Sequence, residues 1–109
     1  MSRNKGNLGE DRAVAYLQEN AFSIIDRNVY SKFGEIDIIA LKDEVLHFIE
    51  VKSAYEYEIA VQNITPQKLQ RFLRTVDVYL KKHQLDLTYS IDAVIVTPNE
   101  ITYIENITL

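Results

Sequence analysis

In the stretch GEIDIIALKDEVLHFIEVK, residues 34–52, three carboxylates and one ammonium, Glu35, Asp37, Glu50 and Lys52, sit among aliphatic and aromatic residues. Carboxylates in apolar surroundings repel one another and lose hydration, which raises their pKa values unless positive charge compensates. A salt-bridged structural hairpin is one reading of the group, but a single lysine cannot balance three acids and unpaired buried charge is costly. A divalent cation resolves the imbalance, and oxygen-only ligands favour Mg²⁺ or Mn²⁺ over zinc. Asp37, Glu50 and Glu10 holding such an ion beside Lys52 have the makeup for phosphodiester hydrolysis. Lys52 would orient the attacking water and stabilise charge at phosphorus.

Side chains alternate across a strand, so Phe33, Glu35, Asp37 and Ile39 share one side of the second strand, and Leu46, Phe48, Glu50 and Lys52 one side of the third. A two-residue turn at Lys42-Asp43 pairs Leu41 with Glu44, Asp37 with Phe48 and Glu35 with Glu50. In that register all four charged groups converge on one face, with Asp37 and Glu50 as diagonal neighbours. Glu10 is a further anomaly, lying in the middle of the helical face made by Ala13, Val14, Leu17 and Ala21. A helix packed across the sheet brings it to the same cluster, and Gly6 and Gly9 let its backbone come close.

The elements that must position these groups follow from periodicity. Residues Leu8 to Gln18 read as a helix, with Asn20 as a left-handed cap. Ser23 to Tyr30, Phe33 to Leu41 and Glu44 to Ser53 read as strands, and the polar, Tyr-rich segment Ala54 to Ile64 as a loop. Thr65 is the expected N-cap of a second helix with Pro66 at its first position and a core face of Leu69, Phe72, Leu73, Val76 and Leu80. Tyr89 to Thr97 and Ile101 to Ile107 complete the chain as strands around Pro98-Asn99. The order α-β-β-β-α-β-β predicts an α/β sandwich with a mixed or antiparallel sheet rather than a doubly wound one.

The 109 residues, 47% of them hydrophobic, suffice for one globular domain, 1–109, with a real core. With no cysteine, disulfides, thiolate metal sites and cysteine nucleophiles are excluded. Neither a signal-peptide core nor an apolar run of ~18 residues is present, so no membrane partner and a cytoplasmic location are expected. A net charge of −4 argues against coating nucleic acid by bulk electrostatics. Contact with nucleic acid must then come from a local basic patch or from bound cations.

Glu10, then Asp37, then Glu50-Val51-Lys52 resembles the D…ExK core of the restriction-endonuclease-like superfamily, the helix Glu being placed as in Holliday-junction resolvases. More closely, Gly9-Glu10, Ala13, Tyr16-Leu17, Arg27-Asn28, Gly34-Glu35-Ile36-Asp37, Phe48-Ile49-Glu50-Val51-Lys52, Lys68 and Asp92 are similar to the YraN-like family of small bacterial proteins. The resemblance implies an α-β-β-β-α-β nuclease-like core with a mixed central sheet flanked by helices, and a metal-dependent site at Glu10, Asp37, Glu50 and Lys52 acting on DNA. It also raises branched DNA and a homodimer, for which Val94, Val96 and the last strands offer apolar surface. Three positions depart from the family pattern: Ala54 where a basic residue commonly follows ExK, Ser90 where an Arg commonly precedes Ile91-Asp92, and Asn20-Ala21 where a Gly is usual.

Other candidates have plainer readings beside the functional one. Glu35 is either a supporting group behind the metal ligands or a solvated carboxylate. Lys68, Arg71 and Arg74 form a stripe on the second helix that is either a solvated face or, at Lys68 and Arg71, a nucleic-acid contact. Tyr55 and Tyr57 either pack or stack on exposed bases. His47 alternates away from Glu50, and His83 ends a helix, so neither is expected to be a ligand. A catalytically inactive adaptor that keeps the fold and binds DNA or a protein partner is the alternative to a nuclease.

Overall fold

The computed structural model describes residues 5–108, and side-chain surroundings over 8–108. The elements run α1 (Lys5–Glu19), β1 (Ser23–Tyr30), β2 (Glu35–Lys42), β3 (Val45–Ser53), α2 (Tyr57–Gln62), α3 (Pro66–Lys82), β4 (Tyr89–Val96) and β5 (Ile101–Ile104). Five strands form one sheet in the order β1-β2-β3-β4-β5. Only β3 and β4 pair in parallel, the remaining neighbours being antiparallel. That parallel pair needs a long crossover, supplied by α2 and α3. The expected α-β-β-β-α-β core is therefore present, with one helix more than the sequence reading: α2 forms inside the segment read as a loop, where Ala60 is fully buried and anchors an otherwise polar turn of chain.

The helices cover opposite faces of the sheet. On one, Ala13 and Leu17 of α1 pack against Ile38, Ala40, Ile49, Val94 and Val96. On the other, Phe72, Val76 and Tyr79 of α3 pack against Ile36, Ile39, Leu46, Phe48 and Ile91. Each fully buried side chain of this size contributes about 1.5–3 kcal/mol relative to an exposed one. Val94 and Val96 are thus consumed by the core of their own chain and offer no surface to a second copy, which corrects the dimer expectation built on them. The buried stripe of α3 is centred on Phe72, Thr75, Val76 and Tyr79, with Leu69, Leu73 and Leu80 at its margins. Thr65 caps α3 as expected, its hydroxyl accepting from the Lys68 amide at 3.2 Å, with Pro66 opening the helix.

Two turn geometries differ from expectation. At the end of α1 the left-handed residue is Ala21, with φ 70°, and not Asn20. Phe22 N donates to Leu17 O at 2.9 Å and Ala21 N to Gln18 O at 3.3 Å, the paired bonds of a Schellman ending. Asn20 contributes through its side chain, donating Nδ2 to Tyr16 O at 2.8 Å. Ala21 accordingly leaves the buried face on which helical spacing put it and is exposed.

The β2–β3 turn is Asp43-Glu44, with φ values of 52° and 64°, and not Lys42-Asp43. Two consecutive positive φ angles match the right-handed twist of a hairpin. Lys42 pairs with Val45 and Ile39 with Phe48, so β3 is displaced by two residues from the expected register. An even displacement keeps the side chains of β3 on their faces, but β2 changes parity: Ile36 packs with Ile39 against α3, whereas Ile38 and Ala40 pack against α1. Gly6 lies outside the residues whose surroundings are described. Among the described residues no helix is long and apolar enough to cross a membrane.

Candidate metal centre

Pairing of β2 with β3 runs from Lys42 and Val45 to Ile38 and Ile49 and stops there. Asp37 and Glu50 are the next residues along their strands, so two carboxylates flank the point where the ladder opens. The Val51 amide donates to Asp37 Oδ2 at 2.8 Å. Helix α1 reaches this opening closely: a Cβ built at Gly9 would lie 2.1 Å from the Ser53 hydroxyl. Absence of a side chain at Gly9 lets α1 sit against the end of β3 and carries Glu10 inward, where it is 7% exposed.

Glu10 is held by β1. Asn28 adopts φ 53° within that strand, a left-handed conformation that Asn tolerates better than most residues. Its Nδ2 donates to both Glu10 oxygens at 3.1 Å and to Glu35 Oε2 at 2.9 Å. One amide thus ties an acid of α1 to an acid of β2. Arg27 adds Nη2 to Asp11 at 2.8 Å and to Glu10 at 3.5 Å.

The result is three carboxylates, from Glu10, Glu35 and Asp37, each presenting an oxygen within 4.8 Å of the others. Glu35 stands inside this group and not behind it. Glu50 is outside it: its Oε2 accepts from Lys52 Nζ at 2.9 Å. Its charge still acts on Asp37, which is pushed up to about 8, first by burial and then by Glu50, Glu10 and Glu35, against the Val51 hydrogen bond. Burial likewise raises Glu10 above the usual carboxylate range, with Asn28 and Arg27 pulling it back. Such a site is short of positive charge, and its donor set is all oxygen, matching the preference of Mg²⁺ or Mn²⁺. The residues present fit that group.

The acids open into a cavity of about 820 Å³ bounded by α1, the ends of β2 and β3, and α3. Lys52, Lys68 and Arg71 line it, so the two residues expected at a nucleic-acid contact face the same space as the carboxylates. Arg71 reaches it past Gly34, where a Cβ would be 3.5 Å from that of Arg71. Arg12 also lines it but donates Nη1 to Thr97 O at 2.7 Å. Arg74 is not a lining residue and lies over the Phe33 ring, 5.3 Å from its centroid. Tyr55, 86% exposed, stands on the rim, while Tyr57 begins α2.

Asn28 is the site residue whose role sequence reasoning missed. Its signals are its place in the Arg27-Asn28 pair of the family resemblance and an Asn inside the strand-like run SIIDRNVY, where a branched or aromatic residue is the norm. A second polar group lies away from the cavity. Asp92, fully buried on β4, sits 2.6 Å from His47 Nδ1 and accepts from Ser90 Oγ at 2.6 Å, the Asn106 amide at 2.9 Å and the Tyr103 hydroxyl. This network fastens β5 and the following turn to the sheet, and Ser90 serves it where the family pattern commonly has an Arg.

Residues 9–96 match the uncharacterised protein family UPF0102. The chain is 62% identical over 109 residues to a UPF0102 protein of Sulfurimonas denitrificans, covering all of both chains. It is 48% identical over 110 residues to one from Aliarcobacter butzleri, again covering all of both. A Helicobacter hepaticus relative is 47% identical over 108 residues, 99% of this chain and 97% of that one. Since the match spans Glu10, Asn28, Glu35, Asp37, Glu50, Lys52 and Asp92 alike, and relatives align end to end, this chain belongs to the UPF0102, or YraN-like, family.

Proposed function

We propose that the protein is a metal-dependent nuclease that hydrolyses DNA phosphodiester bonds at the cavity between α1 and α3. The observation that carries the reading is the meeting of Glu10, Glu35 and Asp37 within 4.8 Å in a cavity that also presents Glu50 and four cationic side chains. Asp37, Glu10 and Glu35 would hold Mg²⁺ or Mn²⁺, Glu10 and Glu35 being tied together by the Asn28 amide, with Glu50, paired with Lys52, as a further ligand beside Asp37. The ion, when bound, supplies positive charge that polarises the phosphate and acidifies water beside it.

The chain's own residues do the rest. Asp37, pushed up to about 8, would release its proton to solvent on taking up a cation. Lys52 is held by Glu50 at 2.9 Å, which fixes its ammonium on the third strand facing the acids. From there it stabilises negative charge developing on the phosphate. Lys68 and Arg71 bind the flanking phosphates, and Asn28 keeps Glu10 and Glu35 from turning out to solvent.

A non-cleaving DNA-binding or protein-binding adaptor is the second reading, favoured by one observation. Glu50 and Lys52 neutralise each other, so the ammonium is engaged before any substrate arrives. A panel of labelled single-stranded, duplex, flap and four-way-junction DNA with Mg²⁺, Mn²⁺ or EDTA separates the two. The nuclease reading expects metal-dependent cutting that Asp37→Asn and Lys52→Ala both abolish. DNA binding without cutting would move the assignment to the adaptor.

A further inference from the structure

We propose that this cavity takes an unpaired nucleotide, so that the DNA it acts on is single-stranded at the point of attack. The inference rests on the nucleic-acid reading above and specifies the form of its substrate. Duplex DNA is gripped through its backbone, and proteins that hold it line the groove with many cations. This cavity offers few. Among the described residues, Lys52 is paired with Glu50 and Arg12 is committed to the Thr97 carbonyl, leaving Lys68 and Arg71 without a carboxylate partner.

Its walls are instead apolar. Leu8, 60% exposed, and Tyr55, 86% exposed, line it together with the half-buried Val51 and the buried Phe72. An exposed aromatic ring, two cations without a carboxylate partner and an acidic cluster lining one cavity match the parts of one nucleotide: base on Tyr55 and Leu8, flanking phosphates on Lys68 and Arg71, scissile phosphate at the carboxylates. The volume, about 820 Å³, suits a splayed nucleotide or two and falls in the range of small-ligand clefts. A base held in a duplex stack cannot present its face to Tyr55, whereas an unpaired base can, and stacking on an aromatic ring works for any base.

Binding measured with Ca²⁺ tests this without depending on turnover. Fluorescence anisotropy would compare an oligothymidylate, an abasic strand of the same length and charge, and a duplex, for the unaltered protein and for Tyr55→Ala and Tyr55→Trp. The oligothymidylate is expected to bind roughly 5- to 100-fold more tightly than the abasic strand. Tyr55→Ala should erase that difference, Tyr55→Trp should preserve it, and the duplex should bind more weakly than the oligothymidylate. Equal affinity for thymidylate and abasic strands, or a preference for duplex, overturns the inference and leaves the nucleic-acid reading standing. Failure of all three to bind overturns that reading and the inference with it.

Discussion

The Asp37 carboxylate accepts the Val51 amide at 2.8 Å just beyond the last paired residues of β2 and β3. That single hydrogen bond is set against burial and three neighbouring carboxylates, and it loses: Asp37 is pushed up to about 8. Because the folded-state value lies above the unfolded one, near 3.8, folding favours the protonated acid. In metal-free protein the stability this group contributes is therefore retained at low pH and lost as pH rises from about 4 to about 8. Asp37→Asn, which keeps the acceptor for Val51, should stabilise metal-free protein by about 1–3 kcal/mol at pH 8 and by little near pH 4. Urea unfolding in EDTA at both pH values checks the sign.

Asn28 should matter for the same balance. Asn28→Ala removes donors from Glu10 and Glu35 together and should cost about 1–3 kcal/mol without metal. Asn28→Asp replaces a shared donor with a fourth acid, so it should be less stable still, and Mn²⁺ should restore more of its stability than that of the alanine variant. Thermal melts across a Mn²⁺ series read both effects.

The helix ending predicts a gain. Ala21 at φ 70° carries a strain that glycine avoids, so Ala21→Gly should stabilise the protein by about 1 kcal/mol. Metal affinity should not change, since Ala21 lies outside the cavity. Glu44→Gly at the hairpin turn, φ 64°, should behave alike.

The buried polar network predicts a loss. Asp92→Ala strands His47, Tyr103, Ser90 and the Asn106 amide at once and should cost about 3–5 kcal/mol. Hydrogen exchange should show the amides of β5 losing protection before those of β2 and β3.

Much of this was legible in the residues. Glu10 announced itself by falling inside an apolar helical face, and alternation alone assigned Asp37, Glu50 and Lys52 to one face of the hairpin. The faces of β3 survived an error in the turn because the register moved by two residues, which preserves parity, whereas β2 changes parity between Ile36 and Ile38, which strict alternation does not foresee. The turn was misread because Asp43-Glu44 carries no glycine to mark its two left-handed angles. Asn20 was preferred over Ala21 for the same reason: intrinsic preference pointed to Asn, while the Schellman bonds placed the left-handed residue one position later. That Glu35, and not Glu50, would share a donor with Glu10 depended on Asn28 reaching across from β1, a tertiary contact that strand periodicity does not encode.

The account turns on the carboxylate cluster being a cation site, and Mn²⁺ titration by calorimetry tests it most directly. Measurements at pH 7 in buffers of differing ionisation enthalpy count the protons released. The account predicts saturable binding with close to one proton released as Asp37 ionises, abolished in Asp37→Asn while the fold and its cooperative unfolding persist. Absence of binding, or affinity unchanged in that variant, would contradict it.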